Sequence, residues 1–204
     1  MAKRREVEAQ RARLSAATWE VLAEQGLQGL SLRAVAERAG CTTGLVLHTF
    51  RDKRALLAHA RELLHERTAA SADAAEAGAG AGEPGEAAPE DALRAVLLQA
   101  ASLTSAAREE ARVWLGFLAA ALSDDELAEL HVRGNRAFVE RITRLVRGCR
   151  PDLGPEACAT AALVLVSLVE GLNSLATVDD ETYSPEAQRA AVEVAVAGLV
   201  GRPA

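Results

Sequence analysis

The sequence contains few of the residues that mark disulfide-stabilised, zinc-binding or aromatic-rich proteins. Its 204 residues include three cysteines, and aromatic residues make up 3% of the chain. The cysteines are odd in number, lack a C-x-x-C spacing and have no histidine pair nearby, so neither a disulfide framework nor a zinc site is indicated. We expect Cys41, Cys149 and Cys158 to be small buried residues, with redox sensing as the alternative, and we expect no metal and no cofactor.

Signals for export, membrane insertion and catalysis are also missing. We find no signal-peptide pattern and no apolar run judged long enough to span a bilayer, which predicts a cytoplasmic protein without a membrane partner. No Ser or Cys has a paired His and acid at a readable spacing, no Glu-x-x-His repeat occurs, and no glycine-rich loop follows a strand. We therefore expect no catalytic residues, and an all-α enzyme remains only a remote alternative.

Apolar residues and an uneven distribution of charge are what the sequence does contain. Half of the residues are apolar, which is enough for a substantial core and allows two folded units. Strand-forming residues occur only inside segments with helical periodicity, so we predict an all-α fold. Residues 1–67 carry 12 Lys and Arg against 8 Asp and Glu, whereas residues 68–204 carry 11 against 21. The basic N-terminal end is therefore the expected place of contact with phosphates.

The segment 31–53 has the signals of two short helices joined by a tight turn and followed by a third helix. Ser31 is a favourable N-cap. Gly40 supplies the backbone freedom that ends the first helix, and Thr42 can cap the second. Asp52 can cap the third. This spacing predicts a helix-turn-helix, although an ordinary helical hairpin inside a bundle gives the same pattern.

The second of these helices has small and hydrogen-bonding residues on the side left free when Leu45, Val46 and Phe50 are buried. Such a surface lets a helix approach the base edges in a major groove. Arg33 is placed to reach a base edge or a phosphate. Ser31, Thr49 and Lys53 are placed to reach the DNA backbone. The predicted DNA-binding residues are Ser31, Arg33, Thr42, Thr43, Gly44, Leu47, His48, Thr49 and Lys53.

Residues 14–57 resemble the DNA-binding domain of the TetR family of bacterial transcriptional regulators. The matching residues are Ala17, Val21, Leu22, Gly26, Ser31, Leu32, Val35, Ala36, Ala39, Gly40, Gly44, Phe50, Lys53, Leu56 and Leu57. Two positions depart from the family pattern, because Thr49 replaces the usual aromatic or His and Leu47 replaces a phosphate-contacting Tyr. The resemblance implies a three-helix domain at residues 1–54, with the helix-turn-helix at about 31–50, and a C-terminal helical bundle for regulation and dimerisation at residues 55–204.

The C-terminal part begins with a segment of low complexity. Residues 68–89 are mostly Ala, Gly and Glu with two prolines, and they predict a flexible connection. Five helices are then expected, at about 89–103, 105–122, 123–147, 155–175 and 184–200. Residues 109–146 resemble the regulatory domain of the BetI-type subgroup of the family, typified by the choline-responsive repressor of betaine synthesis.

The helix at about 155–175 is apolar on nearly all sides, so it must be covered on both faces. It is either buried within one subunit or, as the family resemblance implies, forms a four-helix homodimer interface together with residues 184–200. A dimer would place two recognition helices about one DNA turn apart, some 34 to 36 Å, and would match a palindromic double-stranded DNA operator.

A small-molecule effector would need an apolar pocket with a few polar groups. Trp114 and Phe117 could equally belong to the core. Glu170 either pairs across the interface or faces a cavity, in which case a cationic ligand is favoured. The candidate ligand-binding residues are Arg112, Trp114, Phe117, His131, Asn135, Phe138, Glu170 and Asn173. The function expected is that of a homodimeric repressor released by an unknown effector, with a ligand-independent regulator or an activator as the alternative.

Overall fold

The computed structural model describes residues 2–79 and 89–201, with side chains from Arg5 onward. Across these residues the chain forms nine α-helices and no strand. They are α1 (Ala2–Gly29), α2 (Leu32–Arg38), α3 (Thr43–Phe50), α4 (Lys53–Ala79), α5 (Pro89–Ala100), α6 (Ser105–Ala121), α7 (Asp125–Cys149), α8 (Pro155–Ala176) and α9 (Pro185–Val200). The prediction of an all-α fold is confirmed.

Two glycines with positive φ lie near the ends of the first two helices, one inside α1 and one after α2. Gly26 interrupts α1 with φ 64° and ψ −171°, and Gly40 follows α2 with φ 61°. Both lie in the left-handed region, which glycine adopts without a Cβ clash. After Gly40, the backbone N–H of Cys41 donates to the carbonyl of Ala36 at 2.9 Å, which closes the turn of the helix-turn-helix.

Helix α4 is longer than the sequence suggested, because residues 68–79 continue it. The prediction of a flexible connection is therefore wrong for these residues, and residues 80–88 of that segment lie outside the described part of the chain. Alanine has the highest helix propensity. In addition, Glu76 pairs with Arg141 at 2.9 Å and with Arg144 at 2.8 Å, both on α7.

The chain divides into two compact units, Met1–Glu66 with Arg112–Val132, and Arg67–Ala111 with Arg133–Ala204. Helices α4, α6 and α7 each contribute residues to both units. The division into functional domains at residues 1–54 and 55–204 stays a prediction. The core of the first unit consists of Leu14, Ala17, Val21, Leu22, Leu30, Val35, Ala36, Val46, Phe50, Leu56, Ala60, Leu64, Val113, Phe117 and Leu127.

In the second unit α5 packs on α8 and α9. Helix α8 buries one side, including Leu165, Val166 and Val169, in the core of this unit. Its other side remains open, with Leu163 53% exposed and Val164 48% exposed. Deep burial within one subunit, one of the two alternatives for this helix, is therefore not what the chain forms.

Helix α8 also corrects an expectation about apolar runs. Its 22 residues make it long and apolar enough to cross a membrane, by length and composition, within the residues described. The expectation that no such run exists was therefore wrong. The same helix places seven residues in a protein core, and a core helix passes the same test of length and composition.

Candidate nucleic-acid interface

Helix α3 holds one side in the core and leaves a small polar surface open. Val46 and Phe50 are buried, whereas Thr43, Gly44 and His48 are exposed. No bulky side chain stands at the N-terminal end of this surface, so the backbone of α3 can come close to base edges. The structure thus brings these three predicted DNA-binding residues together on one face.

The hydroxyl groups of Ser31 and Thr42 cap the two helices of the helix-turn-helix. Ser31 Oγ accepts the backbone N–H of Ala34 at 3.1 Å, and Thr42 Oγ1 accepts the N–H of Leu45 at 3.3 Å. Capping uses an oxygen lone pair and leaves the hydroxyl proton free to donate to an acceptor. Each residue can therefore cap its helix and bind a phosphate oxygen at the same time.

The two positions that depart from the family pattern have different environments. Leu47 is 41% exposed and offers an apolar contact, of the kind that a thymine methyl group accepts. Thr49 is half-buried, and its hydroxyl donates to the carbonyl of Leu45 at 3.2 Å. In this arrangement the hydroxyl proton of Thr49 is used inside α3.

The turn between α3 and α4 is strained at a residue that is not glycine. Arg51 has φ 60° and ψ −46°, and the N–H of Asp52 donates to the carbonyl of Phe50 at 2.6 Å. This is a γ-turn with a positive φ at its central residue, a conformation that is rare for a side-chain-bearing residue. Asp52 then accepts the N–H of Ala55 at 2.8 Å and caps α4. The turn leaves Arg51 and Lys53 exposed beside the end of the recognition helix.

Two arginines of α2 have different surroundings. Arg33 is exposed, as a DNA contact requires. Arg38 binds Glu24 at 2.7 Å and Glu20 at 3.2 Å, both on α1. The hydrogen bond from Arg38 lowers the pKa of Glu24. Arg38 therefore fixes α2 on α1, while Arg33 remains available to DNA.

His59 connects α4 with α1 and with the end of α3. Its Nε2 lies 2.9 Å from the hydroxyl oxygen of Ser15, and its ring centroid lies 4.9 Å from that of Phe50. Burial lowers the pKa of His59, and Arg11 lowers it further. His59 was not among the residues predicted from sequence, although it lies five residues before the buried Leu64 of α4.

A second cluster in the same unit contains two of the predicted ligand-binding residues. The guanidinium carbon of Arg61, a residue 1% exposed, lies 4.2 Å from the ring centroid of Trp114. The ring of Trp114 lies 5.3 Å from that of His131. Burial lowers the pKa of His131, and the charge of Arg61 acts in the same direction. Arg61 was not among the residues predicted from sequence, although its position on the apolar side of α4 was a signal for it.

The remaining candidate ligand-binding residues do not form one described site. Arg112 and Phe117 lie in the first unit, whereas Asn135, Phe138, Glu170 and Asn173 lie in the second. Arg112 is exposed and Phe117 is buried. The side chain of Asn173 is engaged within the fold, because it accepts from Ser102 Oγ at 2.8 Å and donates to the carbonyl of Ala100 at 2.8 Å.

Two protein families match different parts of this chain. Residues 14–60 match the family described as bacterial regulatory proteins, tetR family. Residues 89–201 match the family described as BetI-type transcriptional repressor, C-terminal. The second match alone covers more than half of the chain.

Individual proteins give the same result. The HTH-type transcriptional regulator BetI of Burkholderia thailandensis is 32% identical over 167 residues, which cover 81% of this chain and 80% of that protein. BetI of Escherichia coli strain K12 is 29% identical over 162 residues, with 79% of each chain covered. These relatives are transcriptional regulators, which agrees with the expectation that the protein is not an enzyme.

Solved structures share the fold. A transcriptional regulator from Rhodococcus sp. Rha1 superposes with a TM-score of 0.77 at 30% identity, covering 92% of this chain and 94% of that one. A regulator from Saccharomonospora viridis, crystallised in complex with choline, has a TM-score of 0.76 at 17% identity, covering 92% of this chain and 95% of that one. The second likeness concerns the fold alone. The helix-turn-helix with its polar face and the family matches over both parts of the chain agree: this protein belongs to the TetR family of bacterial regulatory proteins and is a DNA-binding transcriptional regulator with a BetI-type C-terminal region.

Proposed function

We propose that this protein is a homodimeric repressor that binds a palindromic operator and is released by a small-molecule effector. The observation that carries the proposal is the open apolar side of α8 and α9, where Leu163 is 53% and Val194 is 74% exposed. Large exposed apolar side chains that lie together on a protein surface mark a protein contact. A second copy presenting the same two helices would cover it through a two-fold axis.

A two-fold axis would also account for how the protein reads DNA. One α3 presents a short polar surface, which can contact only a few base pairs. Two copies would place two such helices in successive major grooves, and the operator would then repeat the protein's symmetry. We propose that this assembly acts in the cytoplasm, where the bacterial chromosome lies, without a membrane partner.

For the effector we propose a small quaternary ammonium compound as the first class to test. The regulator from Saccharomonospora viridis was crystallised with choline, and relatives at about 30% identity are named BetI. Glu170 places a carboxylate in the C-terminal half of α8, after the apolar run 161–166, and a carboxylate can bind a cation. An anionic effector would leave this carboxylate without a role in binding.

The experiment that tests the proposal has two measurements on the full-length protein. Light scattering during size-exclusion chromatography gives the mass in solution, and twice 21.4 kDa is expected. A gel shift with the DNA flanking the protein's own gene, repeated with a metabolite library that includes choline, gives operator binding and release. A monomer that binds this DNA would contradict the dimer, and binding that no compound alters would support a ligand-independent regulator instead.

The role of Glu170 has its own test. In Glu170→Gln the concentration of a cationic effector needed for release should rise about tenfold, because one charge-assisted contact is lost. Glu156→Gln, in the first turn of the same helix and exposed, is the matched control and should release normally. Unchanged release in Glu170→Gln would remove this carboxylate from the effector site.

A further inference from the structure

Arg54 lies one residue after Lys53, at the start of α4, and is held by two carboxylates where α7 begins, one on Asp124 just before the helix and one on Glu126 in its first turn. Its Nε lies 2.9 Å from Glu126 Oε2, and its Nη2 lies 3.6 Å from Asp124 Oδ1. All of these residues belong to the first unit. We propose that Arg54 is a further contact to the DNA backbone, and that Asp124 and Glu126 compete with phosphate for its guanidinium.

The two sides of this ion pair differ in how firmly they are held. Asp124 accepts the N–H groups of Glu126 at 3.0 Å and of Leu127 at 3.2 Å, so its carboxylate is fixed as the N-cap of α7. The side chain of Arg54 is 62% exposed, and the described contacts that hold it are those to Asp124 and Glu126. Arg54 is therefore the partner that can move, and a phosphate is an acceptor that it can move to.

The energy of the pair allows such an exchange. An exposed ion pair contributes little to stability, since solvent screens both charges. An arginine that neutralises a DNA phosphate gains the release of a condensed counterion as well as a charge-assisted hydrogen bond. The carboxylates can therefore weaken DNA binding through Arg54 without preventing it.

The position of the turn between α6 and α7 would allow the competition between carboxylates and phosphate for Arg54 to be regulated. Arg54 follows the recognition helix by four residues, within the unit that reads DNA. The turn joins α6 and α7, and both helices continue into the second unit. A change in α6 or α7 that moves the turn would change how much positive charge the reading unit offers to the DNA backbone.

The test measures affinity for a random duplex of about 30 base pairs as a function of salt concentration, because a phosphate contact is independent of sequence. The double variant Asp124→Asn/Glu126→Gln keeps an N-cap, since Asn caps as well as Asp. It should bind more tightly at low salt, with a steeper slope of log K against log salt, and Arg54→Ala should bind more weakly, with a shallower slope. The two changes in slope should add up to about one for each subunit bound, because one arginine neutralises at most one phosphate.

Two controls decide whether the carboxylates act through Arg54. Adding Arg54→Ala to the double variant should completely remove its gain in affinity for the random duplex. Asp125→Asn removes one charge beside the same turn, and this residue has no ion pair to Arg54 among the described contacts, so its gain should be small. A gain that persists without Arg54, or an equal gain from Asp125→Asn, would show a general field effect and overturn the proposal.

Single Glu126→Gln leaves the cap of α7 untouched and serves as the second variant if the double variant folds poorly. It should give a smaller steepening of the same sign, and an unchanged slope would also overturn the proposal. The inference requires DNA binding but neither dimerisation nor effector release. A failure of effector release with these slopes intact would therefore contradict only the proposed function.

Discussion

The recognition helix α3 and the C-terminal helix α8 both leave one side uncovered, but the two surfaces are chemically opposite. On α3 the open residues are Thr43, Gly44 and His48, which are small or can form hydrogen bonds. On α8 they include Leu163 and Val164, which are removed from water when they pack against another apolar surface. The first surface fits a polar duplex with a groove, and the second fits another apolar protein surface.

The difference also concerns how each surface is supported. The helices around α3 are fixed by side-chain caps at Ser31, Thr42 and Asp52 and by the ion pair of Arg38. Helix α8 is fixed by its buried side and by the hydrogen bonds of Asn173. The caps around α3 are local contacts and Arg38 reaches a residue 14 positions away in the chain, whereas Asn173 of α8 reaches one 73 positions away.

The change with the largest expected effect converts the apolar surface of α8 into a charged one. In Leu163→Glu each subunit of the proposed dimer would bury a carboxylate against an apolar partner, at a cost of several kcal/mol. The mass in solution should fall to that of one chain, and affinity for operator DNA should fall at least about 100-fold, because two linked half-sites become one.

Val178→Glu is the matched control for this change. Val178 is 90% exposed but lies in the connection between α8 and α9, outside the α8 surface. This variant should keep the mass and the affinity of the unchanged protein. A dimer that survives Leu163→Glu would place the interface elsewhere.

The next change introduces the same charge on the polar surface. Thr43→Glu would direct a carboxylate toward base edges and phosphates, and affinity for any duplex should fall by about 2 kcal/mol or more, as for a lost contact plus repulsion. The helix itself should be slightly stabilised, because an acidic residue in the first turn interacts favourably with the helix dipole.

Thermal unfolding and DNA affinity should therefore change in opposite directions in Thr43→Glu. Thr43→Ala is the control, since it removes the hydroxyl group without adding charge, and its loss should be smaller. Unaltered affinity in Thr43→Glu would mean that this part of α3 does not enter the groove.

A smaller effect is expected at the strained turn that follows α3. Replacing Arg51 by Gly removes the Cβ that makes φ 60° unfavourable, and the free energy of unfolding should rise by about 1 kcal/mol relative to Arg51→Ala. Both variants lack the arginine charge, so the difference between them isolates backbone strain. Chemical denaturation measures it, and an equal or lower stability for the glycine variant would show that the turn is not strained.

Sequence reasoning succeeded where the signal was local. The caps at Ser31 and Thr42 and the turn at Gly40 depend on neighbours within a few residues, and all of them form as expected. The same reasoning failed for residues 68–79, because alanine was read together with the glycines and prolines that follow it. The helix there gains ion pairs with α7, which are more than sixty residues away in the chain.

Side-chain clusters could not be predicted from the sequence either, because their members are far apart in the chain. Trp114 and His131 were selected one by one as ligand candidates, but their neighbour Arg61 comes from a helix about fifty residues earlier. Asn173 was predicted as a ligand-binding residue, and its hydrogen bonds to Ser102 and Ala100 are visible only in three dimensions. The γ-turn at Arg51 could not be predicted, because no glycine in the sequence indicates a positive φ at this position.

The smallest effect expected is a pH dependence of the stability of the first unit, which contains α3. Burial lowers the pKa of His59 and of His131 below the ordinary value of 6.5, so the unfolded chain binds these protons at a higher pH than the folded chain does. The contribution of these two histidines to the free energy of unfolding should therefore be fully present above about pH 6.5. It should be lost as the pH drops from that value through the lower pKa values of the folded chain. Arg11 and Arg61 strengthen this effect, and Glu62 and Glu66 oppose it at His59.

The pair of variants His59→Asn and His131→Asn should flatten the fall in unfolding free energy between about pH 7 and pH 5, measured by denaturant titration at each pH. His48→Asn changes an exposed histidine of α3 in the same unit and is the matched control, so it should leave the profile unaltered. If the unfolding free energy still falls in the absence of both His59 and His131, the pH dependence belongs to other groups. The two units would then differ only in their open surfaces and in the contacts that support those surfaces.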